Sequence, residues 1–144
     1  MLTSNESKSS LQTITLVHSG DDYFSRLVKM ILESKFEIHI QTYIFDYDST
    51  GKKIIEALKK AAAKNIKIYI LLDGFGSLSF PSEVIDELSK IGIDLRIFSP
   101  FLSANSLYIG RRLHHKIIVS DAKIALIGGI NIADKYRGTE KHGA

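Results

Sequence analysis

Strand-like runs alternate with amphipathic helical stripes along most of this chain, and that alternation leaves few folds open to it. Residues Phe36 to Phe45 (FEIHIQTYIF) place Glu37, His39, Gln41 and Tyr43 on one side and Ile38, Ile40, Thr42 and Ile44 on the other, the two-residue period of a strand. Asp46 to Gly51 has turn chemistry, and Ile54, Ile55, Leu58, Ala61 and Ala62 then form one apolar helical stripe. Ile66 to Leu72 has so few polar interruptions that it reads as a strand covered on both faces. Pro81 opens a helix carrying Val84, Ile85, Leu88 and Ile91, and Asp94 to Phe98 is a short further strand. Upstream, Gln12 to His18 (QTITLVH) reads as a first strand, and Asp21 as the N-cap of a helix with Tyr23, Leu27, Met30 and Ile31 on its buried side.

Three alternations of strand and helix predict an α/β domain with a mixed, mostly parallel sheet, right-handed crossovers and flanking helices. Leu113 to Ser120 and Lys123 to Gly128 are separated by Asp121 and Ala122 alone, too close for a crossover helix, so they are expected to form an antiparallel hairpin. The connection between them and the last strand, Ser99 to Arg112, has no clear periodicity and is the kind of loop that borders a binding site. At 144 residues and 44% hydrophobic, one domain with a real core is expected over 12–144, behind a disordered polar tail over 1–11. No run of apolar residues is long enough to span a bilayer, and the serine-rich start lacks the pattern of a secretory signal, so membrane contact is expected to be peripheral. Without cysteine, disulfides, thiolate catalysis and cysteine metal sites are excluded. The net charge of +3 permits anionic partners without choosing between nucleic acid and a membrane surface.

The hairpin carries the residues with the most chemistry. On a strand, His114 and Lys116 emerge on the same face while His115, Ile117 and Val119 point the other way. A neutral imidazole is a competent nucleophile near neutral pH, and a fixed ammonium neutralises the equatorial oxygens of a phosphodiester as charge builds. Asn131 follows Gly128 and Gly129, where missing side chains let the backbone approach a ligand, and its amide is placed to donate to a phosphate oxygen. Asp121 lies in the turn, roughly 16 Å along a strand from Lys116, and is expected to stabilise that turn rather than touch substrate.

Taken together, the pattern is His-x-Lys, four residues, Asp, six residues, then Gly-Gly-x-Asn. It resembles the His-Lys-Asp signature of the phospholipase D superfamily. Tyr43-Ile44-Phe45 with Asp48 and Gly51, the run Leu71 to Ser77, and Gly128 to Asp134 resemble bacterial cardiolipin synthases in particular, as does glycine at 129, where many phospholipases and nucleases have serine. The resemblance implies a phospholipase D-like half-domain with its catalytic motif on a β-hairpin. It also implies metal-independent, two-step phosphatidyl transfer through a phosphohistidine, with no cofactor. His114 is then nucleophile or general acid, Lys116, Asn131 and Gly129 hold phosphate, and Asp121 is the motif acid. The implied substrate is phosphatidylglycerol at the inner face of a membrane, and the implied product is cardiolipin.

Such a site needs two copies of the motif, and no second His-x-Lys occurs here. The partner motif is expected either from a second half of one longer polypeptide, with this chain truncated at its C-terminus, or from a second copy. Asp134 and Glu140 are candidates for the acid that orients the histidine. Gln41, Tyr43 and Arg112 are further pocket candidates, each with a plainer reading as sheet cover or solvated loop. Two other functions fit the same residues: a homodimeric phosphodiesterase acting on DNA or RNA, and a silent remnant that binds membranes or partners. Asp73-Gly74-Phe75-Gly76-Ser77 lacks the third glycine of a dinucleotide loop and reads as a tight turn. His114 and His115 point apart, so no metal is expected.

Overall fold

The computed structural model describes residues 13–100, 102–103, 106–107 and 111–138. Helix α1 (Gly20–Glu33) precedes β1 (Glu37–Thr42), α2 (Ser49–Ala62), β2 (Lys67–Asp73), α3 (Ser82–Lys90) and β3 (Ile93–Phe98). A two-residue ribbon, β4 (Leu102–Ser103) with β5 (Ser106–Leu107), occupies the connection to the hairpin β6 (Ile117–Ser120) and β7 (Ile124–Ile127). Five strands form one sheet in the order β3-β2-β1-β6-β7. The three strands joined by helices run parallel, and β1 with β6 and β6 with β7 run antiparallel. The expected α/β architecture with a motif-bearing hairpin is therefore what the chain adopts.

Register explains which residues are inside. Ile38 pairs with Ile68 and Ile68 with Ile93, Ile40 with Ile70 and Ile70 with Leu95, so their side chains share one face. Leu27, Ile31, Ile54, Leu58, Val84 and Leu88 from the three helices pack in the same core. The opposite face carries Glu37, His39, Gln41, Tyr69, Asp94 and Arg96, and Tyr69 is 37% exposed. Here β2 departs from the expectation that both faces are covered: Ile68, Ile70 and Leu72 are buried, but Lys67 and Tyr69 are not. Its apolar run reflects one buried face plus the amphipathic ring of Tyr69, which stacks on His39 at 4.8 Å.

Three local readings are corrected. Residues 13–18 form no strand: Ile14 is 95% and Leu16 73% exposed, because β-branched propensity alone does not hold a segment that has no ladder partner among the described residues. Ser19, not Asp21, caps α1, its Oγ accepting from the Asp22 amide at 3.1 Å, while Asp21 pairs with Arg137. The hairpin strands are shorter than expected, so residues 113–116 precede the ladder. Their opposite numbers on β1 leave the sheet at Thr42, whose hydroxyl donates to the Ile44 carbonyl at 3.1 Å. The expected tail over 1–11 lies outside the described residues.

Candidate active site

The site forms where β1 ends. Beyond Thr42 the chain crosses the segment that follows the hairpin: Phe45 bridges Ile132 in parallel, Ile132 N donates to Ile44 O at 3.1 Å, and Asp46 N donates to Ile132 O at 2.9 Å. Asn131 sits at this crossing, 4% exposed. Its Oδ1 accepts from Ile44 N at 3.0 Å, and its Nδ2 donates to the Tyr136 hydroxyl at 2.7 Å. One N–H of that amide remains for a further acceptor.

Tyr43 is what gathers the motif. Its ring centroid lies 5.1 Å from that of His114 and 5.5 Å from the Lys116 ammonium. Lys116 is 7% exposed, and a buried ammonium needs partners. It finds the π face of Tyr43 and the His114 carbonyl, to which Nζ donates at 2.9 Å. Two of its three donors are left for an anion. His114 is exposed, Lys116 buried, and both meet the same ring, so imidazole and ammonium are gathered about one aromatic side chain. A side chain built at Gly129 would meet no protein atom within 4 Å.

Other candidates stand elsewhere. Asp121 is at the far end of β6, where Oδ1 accepts from Phe36 N and Glu37 N and Oδ2 from Lys35 N, all within 2.9 Å. Those amides, the Glu37 one foremost, hold its carboxyl below the usual carboxylate range. It clamps the hairpin turn onto the start of β1 and does not reach His114. Asp134 is a helix cap rather than a histidine-orienting acid: it accepts from Ser49 N, Thr50 N and Thr50 Oγ1, while its own amide donates to Asp48. The Thr50 hydroxyl is the main cause of its lowered pKa. Glu140 lies outside the described residues. Gln41 lines a hollow of about 370 Å³ on the open sheet face with His39, Tyr69 and Arg96, apart from the motif. Arg112 turns inward, donating to Ser99 O at 3.2 Å and lying over the Phe75 ring at 5.3 Å.

Sequence reasoning missed three residues that build this site. Tyr136 supports Asn131, Ser77 holds the Tyr43 segment, and Asp73 joins the Ser77 turn to the segment that bears His114. For Asp73 and Ser77 the signal was the run Asp73 to Ser77, and reading it as a turn stopped short of its long-range partner.

Residues 27–141 match the family described as "Cardiolipin synthase, PLD-like domain". The chain belongs to that family. Its similarity to the cardiolipin synthase of Clostridium perfringens (strain 13) is 37% identity over 130 residues, 90% of this chain and 27% of the relative. This PLD-like chain thus spans just over a quarter of that relative's length. Its fold is similar to that of NucT from Helicobacter pylori, with a TM-score of 0.64 at 22% identity over 81% of this chain and 71% of that one. It is also similar to Nuc from Salmonella typhimurium, a phospholipase D family member, with a TM-score of 0.57 at 21% identity over 78% and 66% of the two chains. Both likenesses place the PLD-like domain in a phospholipase D fold. Among the described residues of the PLD-like domain, no helix is long and apolar enough to cross a membrane.

Proposed function

We propose that this chain supplies one half of a phosphatidyltransferase site of the phospholipase D type, joining two phosphatidylglycerol molecules into cardiolipin and releasing glycerol. The observation that carries the reading is the convergence of the His114 imidazole and the Lys116 ammonium on the Tyr43 ring, in a member of the cardiolipin synthase PLD-like family. In the first step a His114 ring nitrogen attacks phosphorus and the bond to the leaving glycerol oxygen breaks. A histidine of the second motif gives that oxygen its proton. In the second step the same histidine takes the proton of an acceptor hydroxyl, whose oxygen displaces His114. Lys116 and the remaining Asn131 N–H donor neutralise the phosphate oxygens throughout. Gly129 leaves room for the phosphate beside them. The second motif comes from a further half of one polypeptide or from a second copy, and the site works at a membrane surface against an anionic headgroup.

Phosphatidylglycerol vesicles test this, with the chain supplied together with a second His-x-Lys half. Cardiolipin is expected by mass spectrometry, with no product from His114→Ala and an acid-labile phosphohistidine trapped on the unmodified chain. Product formation by His114→Ala refutes the assignment. Metal-free cleavage of single-stranded DNA by a dimer, without cardiolipin, replaces it with a phosphodiesterase.

A further inference from the structure

The carboxylate of Asp73 is fully buried at the end of β2, where a lone negative charge is not tolerated. Its Oδ1 accepts from Phe75 N and Gly76 N, each at 2.9 Å. Those two bonds are what a turn requires. The third is not: Oδ2 accepts from Leu113 N at 2.7 Å, forty residues away and immediately before His114. Arg112 Nη1 stands 3.9 Å from Oδ1 and offsets the charge.

A second route runs from the same carboxylate to the same imidazole. The turn it closes presents Ser77, whose hydroxyl donates to Tyr43 O and accepts from Phe45 N, both at 3.0 Å. Gly76 packs so closely on Tyr43 that a Cβ there would collide with the Tyr43 carbonyl oxygen. Tyr43 in turn carries the ring against which His114 rests. One buried group thereby fixes both the backbone that bears the imidazole and the surface that bounds it. Lys116 holds the His114 carbonyl as well, but its ammonium is also the proposed anion ligand, whereas the carboxylate of Asp73 accepts from the backbone amides of the turn and of Leu113.

We infer that Asp73 is the positioning residue of this site, setting the His114 imidazole against Tyr43 by holding Leu113 and the Gly76–Ser77 turn at once. The inference rests on His114 as the reactive group, and its consequences for geometry can be read without turnover. Asp73→Asn keeps the shape and one acceptor oxygen, but sets an amide NH2 against the Leu113 N–H.

Carbon-bound ring protons of His114, observed by NMR on the full chain, carry a ring-current shift from Tyr43 that Tyr43→Leu abolishes. In Asp73→Asn these signals are expected to move toward their Tyr43→Leu positions. Phosphatidyl transfer is expected to fall about ten- to a hundredfold, with KM changing less than twofold. If the variant does not fold, hydrogen exchange on the unmodified chain decides: the Leu113 amide is expected to exchange at least a hundredfold slower than an open loop amide. Unmoved His114 signals in a folded Asp73→Asn, or an unprotected Leu113 amide, overturn the inference and leave the proposed transferase standing. Moved signals together with transfer by His114→Ala uphold the positioning and remove His114 as the proposed nucleophile instead.

Discussion

Asn131 carries two separable loads, and substitution can tell them apart. Its oxygen satisfies the Ile44 amide and its nitrogen satisfies the Tyr136 hydroxyl, in a side chain almost without solvent contact. Truncation to alanine leaves a partly buried N–H unpaired, at about 1–3 kcal/mol, and deletes a second hydrogen bond worth about 1 kcal/mol. The expected loss for Asn131→Ala is therefore about 2–4 kcal/mol, a large part of the roughly 5–15 kcal/mol that holds a domain together. At about 2–4 °C per kcal/mol for a domain of this size, the melting temperature drops by roughly 4–16 °C. Asn131→Asp behaves differently: a carboxylate still accepts from Ile44 N, and the Tyr136 hydroxyl can turn to donate to it. That variant is expected to melt within a few degrees of the unmodified chain while binding phosphate far more weakly, because it sets a negative charge beside the anion. Thermal unfolding followed by circular dichroism, with phosphate binding by calorimetry, checks both. If Asn131→Ala unfolds within about 0.5 kcal/mol of the parent, the crossing at Ile44 and Ile132 is not held as argued.

Further outcomes follow from individual groups. Tyr23 is buried and its hydroxyl has no hydrogen-bond partner among the described residues, so Tyr23→Phe is expected to stabilise the fold by about 1 kcal/mol in denaturant titrations. Burial also pushes that phenol up to about 12, so its share of stability is complete below the ordinary value near 10 and disappears as pH rises through 12, a dependence the phenylalanine variant lacks. For Asp121 the sign is reversed. Its lowered pKa makes the pH-dependent stability gap between parent and Asp121→Asn full above about pH 4, shrinking as pH falls through the folded-state value and closing below it, as acid unfolding curves will show. Ala122 has φ 51°, so Ala122→Gly is expected to gain about 0.5–1 kcal/mol by relieving the left-handed backbone, with unchanged strand pairing by NMR.

The elements whose signal is local were legible from sequence. Period-two and period-3.6 patterns marked β1, α1, α2 and α3, because burial of one face imposes them directly, whereas β2 was marked by its apolar run and only its one buried face had to be found. The hairpin was equally plain, since Lys123 N donates back to Ser120 O across Asp121 and Ala122, both with positive φ. Residues 13–18 misled because a β-branched run announces propensity and says nothing of a partner. His114 and Lys116 were found through their spacing, and the structure puts both against Tyr43. What spacing could not convey was where carboxylates reach. Asp73, Asp121 and Asp134 each grip backbone amides far along the chain, and no local pattern records a bond across forty or more residues.

Four side-chain bonds that join the region around β1 to the region around the hairpin share one more property: their separation along the chain. Ser34 with Ser120, Glu37 with Asp121, Ile44 with Asn131 and Thr50 with Asp134 are all 84 to 87 residues apart. They are the teeth of one zipper. Closing the first loop carries nearly the whole entropic cost, since loop entropy grows only with the logarithm of length, and each later bond then forms at little extra cost. The strand-helix-strand half can thus order early through its local contacts, while the motif strand docks late and in a single step. The same zipper is expected to open from the folded state as one unit. Amides of Glu37, Ile44 and Thr50 should accordingly exchange with solvent at a common free energy of opening, below that of the buried centre of β2.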